Sequence, residues 1–407
     1  MFVSHELMLD VSFPAARQSG RARGLPAGRD LPVVPRRQDQ RPCLRFGAAG
    51  NAAGMTQAGA RGGGRSAEPA APPRQLIDQL LRAAAAAPSM HNTQPWRFQV
   101  RDAGRTIELR ADPARQLPYS DPSGRAAHIA CGAALFNLRL AGAVASQGAD
   151  VRLLPDPREP LLLATVRLAG PYRAAPADSE LHAAIDRRHT NRQPFSSRPV
   201  PPGVLAELAQ AASLEHAILH ILDHDEAVRV LNLAADAERA QLADPGYRAE
   251  LARWVGGQRD RDGIPDSALG PRSPDSPTPV RDFTPGPQSQ LVRYAWFEGT
   301  PQLAVLSTRS GSRADWLRAG QALQRVLLTA TARGIATCPL TQPLETGDAW
   351  LVRDPRSGSE QPQMILRLGY GLPVPPTPRR PPGDILDHPK PGENPPPGKE
   401  NPGSHSS

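Results

Sequence analysis

The sequence predicts an α+β chain in which one unit of mixed sheet wrapped by helices occurs twice, set between two tails that cannot build a core. Three observations predict it. Residues 75–168 read as helix, hairpin, helix, hairpin. The second of those helices returns at one constant offset: Gly132, Leu135 and Leu138 match Gly320, Leu323 and Val326, each pair 188 residues apart. Both helices are apolar over most of their circumference, so both must be buried between layers or between halves. A chain of 407 residues with 39% hydrophobic content also suffices for two domain-sized cores.

Residues 1–70 are rich in Gly, Ala, Arg and Pro without any helical or strand period, and read as a disordered basic tail or as an extension upstream of a start at Met55 rather than Met1. The first half, residues 71–175, opens with a helix over 75–87 that Pro88 must end. Strands over 94–101 and 106–111, a helix over 124–147, and strands over 150–156 and 161–168 complete it. The second half, residues 176–385, begins with a helix over 179–188 and another over 201–212 with Pro just inside its start. A strand over 217–222 and a helical stretch over 225–257 follow. Residues 258–290 form a Pro-, Gly- and Asp-rich excursion too long for a simple connection, which reads as a lid-like insert. A strand over 302–308, a helix over 315–333 and a strand over 363–370 close the half. Proline dominates from residue 373 and builds no core, and residues 386–407 read as a Pro-rich tail.

Charge and cysteine usage exclude several function classes. Residues 1–74 hold 11 Arg against 5 acids, which is six of the formal +8 and leaves two for everything else. A basic tail without interleaved aromatics is no nucleic-acid groove. Lysine occurs only at Lys390 and Lys399, so a phosphate held by the folded region must be held by arginine, whose planar fork suits it. Cys43, Cys131 and Cys338 have neither disulfide nor metal spacing, which favours a reducing cytoplasm. His216, His220 and His224 are four apart, but the apolar Ile218, Leu219, Ile221 and Leu222 around them read as strand, which breaks the shared face and with it a metal site; His182 and His189 add only a loose cluster. No apolar run reaches membrane-spanning length and no phosphate-binding glycine loop is present.

Two motifs remain. Pro88-Ser89-Met90-His91-Asn92-Thr93-Gln94-Pro95-Trp96 resembles the Pro-Ser-x-x-Asn-x-Gln-Pro-Trp loop of the FMN-dependent nitroreductases. Arg187-Arg188-His189-Thr190-Asn191-Arg192 resembles the basic segment by which that family grips its flavin. In the family the two come from opposite subunits of a dimer, so the resemblance implies a nitroreductase fold duplicated in one chain, a pseudo-dimer. Gly263-Ile264-Pro265, Leu269-Gly270-Pro271 and Arg281-Asp282-Phe283 look most like the dormancy-associated actinobacterial subgroup Acg.

The resemblance implies FMN as cofactor. It implies that Arg188 takes the phosphate, Thr190 adds a hydroxyl, Arg192 lies near N1 and O2, and His189 stands at a position that is His or Arg in the family. Pro88, Ser89, Met90 and Asn92 are expected to pack on and hydrogen-bond the ring. Pro339, Leu340 and Thr341 stand where the family has its N5-facing turn, with Thr341 supplying a backbone N–H, and Arg379 and Arg380 match a trailing basic pair that reaches back to the phosphate. No side chain need be a general acid or base. The expected activity is transfer of hydride from NAD(P)H through flavin N5 to a small electron-poor acceptor, in a monomer with no nucleic-acid or membrane partner. The alternative is a flavin-binding or flavin-storing protein whose insert occludes the site.

Overall fold

The computed structural model describes residues 72–272, 283, 294–346, 352 and 360–387. The predicted basic tail, residues 273–282 and 284–290 of the lid-like excursion, and the Pro-rich tail beyond 387 lie outside them.

The first unit runs α1 (Arg74–Ala85), β1 (Trp96–Arg101), β2 (Thr106–Ala111), α2 (Arg125–Val144), β3 (Gln147–Leu153) and β4 (Leu162–Pro171). α1 buries Ile77, Leu80, Leu81, Ala84 and Ala85, which three- and four-residue spacing places on one face. Contrary to the expectation of no segment of spanning length, α2 is long and apolar enough by length and composition to cross a bilayer, but fifteen of its twenty residues are buried by packing inside the fold. β1 and β2 form an antiparallel hairpin with Phe98 opposite Leu109, and alternation turns Trp96, Phe98, Ile107 and Leu109 into the core. β2 then pairs with β4, and β4 with β3.

After α3 (Pro176–Ala184), the second unit runs α4 (Pro202–Ser213), β5 (Ile218–Ile221), α5 (His224–Ala243), α6 (Pro245–Trp254), β6 (Gln302–Thr308), α7 (Arg313–Ala332), β7 (Ala336–Pro339), α8 (Gln342–Glu345) and β8 (Gln361–Gly369). Without α5, α6 and α8 the element order is that of the first unit. The sheet order repeats as well: β5-β6-β8-β7 follows β1-β2-β4-β3. The four-residue connection between β1 and β2 is replaced by everything between β5 and β6, so the insert grows from one hairpin.

The repeat helices meet at the repeated glycine. A Cβ on Gly320 would lie 2.0 Å from the Ile129 carbonyl oxygen, and one on Gly132 would lie 2.2 Å from that of Leu317. Only glycine permits this approach. Ile129 and Leu317 are themselves 188 apart, and each is packed in the other unit's core.

Three further expectations need correction, and two elements were not predicted. The helical stretch 225–257 is two helices, because Pro245 cannot continue α5 and Asp244 caps α6 by accepting from the Gly246 and Tyr247 N–H groups. The helix expected over 179–188 stops at Ala184, which leaves Arg187 to Arg192 in extended and turn conformations. β7 and α8 were not predicted. Finally, the segment beyond Pro373 does build core: α9 (Pro382–Ile385) buries Ile385 completely, and β9 (Leu386–Asp387) pairs with β1 in parallel, Leu386 opposite Phe98. The tail therefore does not begin at 386, and the chain's last described stretch belongs to the first sheet. That sheet is mixed only through β9; the second is antiparallel throughout.

Candidate functional site

Pro88 ends α1 and the chain enters a tight knot. His91, Asn92 and Gln94 all hold left-handed φ values of 49°, 56° and 52°. Each costs of order 1 kcal/mol or more for a residue other than glycine, so surrounding contacts must over-determine them. They do. The Ser89 hydroxyl accepts from the Gln94 N–H at 2.9 Å. The Asn92 amide donates to the carbonyls of Gly263 and Pro378, both at 2.9 Å, and its oxygen accepts from Arg379 at 2.9 Å. Gln94 donates to the Arg261 carbonyl at 2.8 Å and accepts from the Arg380 N–H at 2.8 Å. Two amides thus tie the loop to the insert and to the C-terminal segment.

Beside the knot lies a cleft with about 920 Å³ of empty space, part of it open to solvent. Pro88, Ser89, Met90 and His91 form one wall, Thr190 and Arg192 another, and Cys338, Pro339, Leu340 and Thr341 a third. The repeat helices supply its floor: Arg125, Ala126, Ile129 and Ala130 from α2, and Leu323 and Leu327 from α7. Segments far apart in sequence converge because the Asn191 N–H donates to the Thr337 carbonyl at 2.9 Å, which stitches the basic segment beside β7.

Arg188 and Arg379 come together just behind that segment. Both donate to the Ala86 carbonyl at 3.4 Å, Arg188 is 3% exposed, and the Nε of each is buried without a partner. Neither forms an ion pair with a described carboxylate. Burial lowers the Arg188 guanidinium to about 10, and burial followed by the charge of Arg188 lowers Arg379 to about 9. Two desolvated like charges at the C-terminal end of a helix are costly on their own. A dianionic group between them would relieve that cost.

Of the thirteen residues expected at the site, Pro88, Ser89, Met90, Thr190, Arg192, Pro339, Leu340 and Thr341 border the cleft, and Arg188 and Arg379 form the paired cation behind it. His189 lies between Arg188 and Thr190, half-buried, its imidazole held below its ordinary value by burial and then by Arg188 and Arg379. Two assignments are corrected. The Asn92 amide donates to two protein carbonyls and accepts from Arg379, so in this structure it fastens the loop. Arg380 donates to the Gln94 and Asp384 carbonyls and faces Asp112 at 3.8 Å, so it anchors the C-terminal segment instead of joining Arg379.

The insert supplies two further walls. Ile264 is 1% exposed, and Phe283 stacks edge-on to His91 at 6.1 Å and lies 5.0 Å beneath the Arg192 guanidinium. Glu250 on α6 fixes the insert to the first unit, accepting from the Tyr119 and Ser120 N–H groups and the Ser120 hydroxyl at 3.0, 2.9 and 2.6 Å. The floor residues escaped the sequence reading because they are apolar or, like Arg125, carry no motif. Phe283 lies in a segment that the resemblance had singled out.

The repeat allows the opposite position to be inspected. The residues 188 before cleft-lining Leu323 and Leu327 are Leu135 and Arg139, and the loop after α4 corresponds to the knot after α1. There Glu215, 7% exposed, accepts from Arg139 at 2.9 Å and from Arg325 at 2.9 and 3.1 Å. Burial opposes its charge, but the two arginines outweigh that and hold the carboxyl below its usual range. An internal ion triad fills the position.

The family model described as "Nitroreductase family" matches residues 64–114 and 185–370. A Mycobacterium tuberculosis protein with the working name NAD(P)H nitroreductase Rv3131 is 36% identical over 326 residues, which cover 78% of this chain and 93% of that protein. The protein with the working name NAD(P)H nitroreductase acg, from the same organism, is 34% identical over 322 residues, 76% of this chain and 95% of that one. Among solved structures, a Desulfitobacterium hafniense nitroreductase with bound FMN is 16% identical, covers 52% of this chain and 98% of its own, and has a TM-score of 0.33.

Proposed function

The chain belongs to the nitroreductase family, and from that premise we propose that it binds one FMN in the cleft between its two units and carries reducing equivalents from NAD(P)H to a small electron-poor acceptor. The observation that carries the proposal is the buried pair Arg188 and Arg379, which has no described carboxylate to neutralise it and two unpartnered Nε–H groups. That donor set fits a phosphate. FMN, when bound, supplies a ring nitrogen that takes up and hands on hydride. Arg188 and Arg379 would hold its phosphate, Arg192 would place positive charge near N1 and O2, and the Thr341 backbone would face N5. Apolar Met90, Ile129, Leu323 and Leu327 would give the ring an apolar bed. Buried, unpaired Cys131 and Cys338 accord with the reducing cytoplasm in which we place the protein.

His189 reports on phosphate occupancy. Its pKa is lowered in part by Arg188 and Arg379, so an anion between those arginines screens them and must raise it. The His189 ring, followed by NMR, is expected to titrate at higher pH with FMN bound than without. An unchanged or lower value would place the phosphate elsewhere.

A second reading, a flavin-storing protein with little turnover, is favoured by the insert: its Ile264 and Phe283 line the cleft and would narrow the space left for a nicotinamide. One anaerobic absorbance experiment separates the readings. Yellow protein that bleaches with NADPH supports the oxidoreductase; yellow protein that bleaches only with dithionite supports storage; colourless protein contradicts both. Phe283→Ala is expected to accelerate bleaching severalfold in either case. Equal rates would show that Phe283 does not gate the ring.

A further inference from the structure

We infer that Arg125 makes the cleft selective for acceptors that carry a carboxylate. The inference rests on the cofactor reading above and adds to it the chemical class of the acceptor. Among the described residues, the cleft wall contains two arginines, Arg125 and Arg192, and no Asp or Glu. Arg192 is engaged by the Ala268 carbonyl at 2.9 Å and by the Phe283 ring. Arg125 is the first residue of α2, half-buried, and meets only neutral oxygens: the Gln363 carbonyl at 2.6 Å, the Gln363 side chain at 3.5 Å and the Leu344 carbonyl at 3.3 Å. It forms no ion pair with a described carboxylate.

Asp121 and Glu345 act on Arg125 through space, but neither pairs with it directly. Asp121 accepts from the Ala126 and Ala127 N–H groups at 3.0 and 2.9 Å, and Glu345 accepts from Gln241 at 2.7 Å. An arginine held in place by carbonyls, with no direct carboxylate partner among the described residues and sharing its wall with Ala126, Ile129 and Met364, offers a planar fork to the cleft. A carboxylate is the small group that matches it bidentately. The repeat supplies a control. Arg313, 188 residues later at the first position of α7, makes the same kind of bridge, to the Pro160 carbonyl and to His128 Nε2 at 3.0 Å, but lines no part of the cleft.

The test titrates flavin-loaded, oxidised protein with 4-nitrobenzoate and with 4-nitrobenzyl alcohol, read by the flavin absorbance. The unmodified protein should bind the carboxylate at least about tenfold more tightly, as a charged hydrogen-bonded pair implies. Arg125→Met should bring the two within about twofold of each other, while Arg313→Met, which removes the matching bridge outside the cleft, should keep the full preference. No preference in the unmodified protein, or an undiminished preference in Arg125→Met, overturns the inference. So does an Arg125→Met protein that loses flavin while Arg313→Met retains it, which would make Arg125 a cofactor contact. Unmodified protein that takes up no flavin at all would instead be a failure of the cofactor reading.

Discussion

Replacing Arg188 with methionine is expected to weaken FMN and to stabilise the flavin-free protein. Charged hydrogen bonds contribute about 1.5–3 kcal/mol, so FMN affinity should fall roughly 10- to 100-fold. Without ligand, Arg188 is a desolvated cation next to Arg379 with no described counter-charge, and an apolar side chain of similar length removes that cost. The melting temperature of the flavin-free variant should therefore rise, by roughly 2–4 °C per kcal/mol relieved. Arg379→Met should behave alike, less the stability it forfeits when Asn92 loses its donor. Titration of flavin into both variants, with thermal melts of the flavin-free forms, checks this. Unchanged FMN affinity, or a lower melting temperature for Arg188→Met, would show that the pair is structural.

Gly320→Ala should do the greatest damage to the fold of any single methyl addition. Its Cβ would meet the Ile129 carbonyl at 2.0 Å and the Gly132 Cα at 2.8 Å, both backbone atoms of a helix packed on both sides. Neither can rotate away, so α2 and α7 must separate, and with them the floor of the cleft. Overpacking of this kind costs 1–3 kcal/mol and occasionally more, and flavin should be lost with it because Leu323, Leu327 and Ile129 lie on the displaced faces. Gly334→Ala is the contrast: no atom lies within 4 Å of its Cβ, and only its φ of 70° opposes the change. Equal melting temperatures for the two variants would mean that the units are not joined through this crossing.

Elements whose signal is local were legible in the sequence. α1 stops where Pro88 demands, the β1–β2 hairpin lies where alternation puts it, and the offset of 188 between the repeat helices proves to be the contact that joins the units. What depends on tertiary partners was not legible. Asn92 and Gln94 belong to a recognisable motif, but nothing local shows that their amides go to Gly263, Pro378 and Arg261. Arg379 and Arg380 are neighbours with the same chemistry, and only the path of the C-terminal segment sends one toward Arg188 and the other toward Gln94 and Asp384. β9 is two residues long, after a proline-rich run, and exists because the edge of β1 is available to it. Glu215 belongs to no motif, and taken alone it would repel an anionic cofactor from the second unit. Its two arginine partners instead make it a substitute for one.

We propose that duplication has left one working site per chain, built from both units, with the opposite position occupied by Glu215, Arg139 and Arg325. Flavin released by denaturation and measured against protein, together with light scattering for mass, tests it most directly. One FMN per 43.6 kDa chain in a monomer is expected; two FMN per chain, or flavin retained only in a dimer, would overturn the proposal.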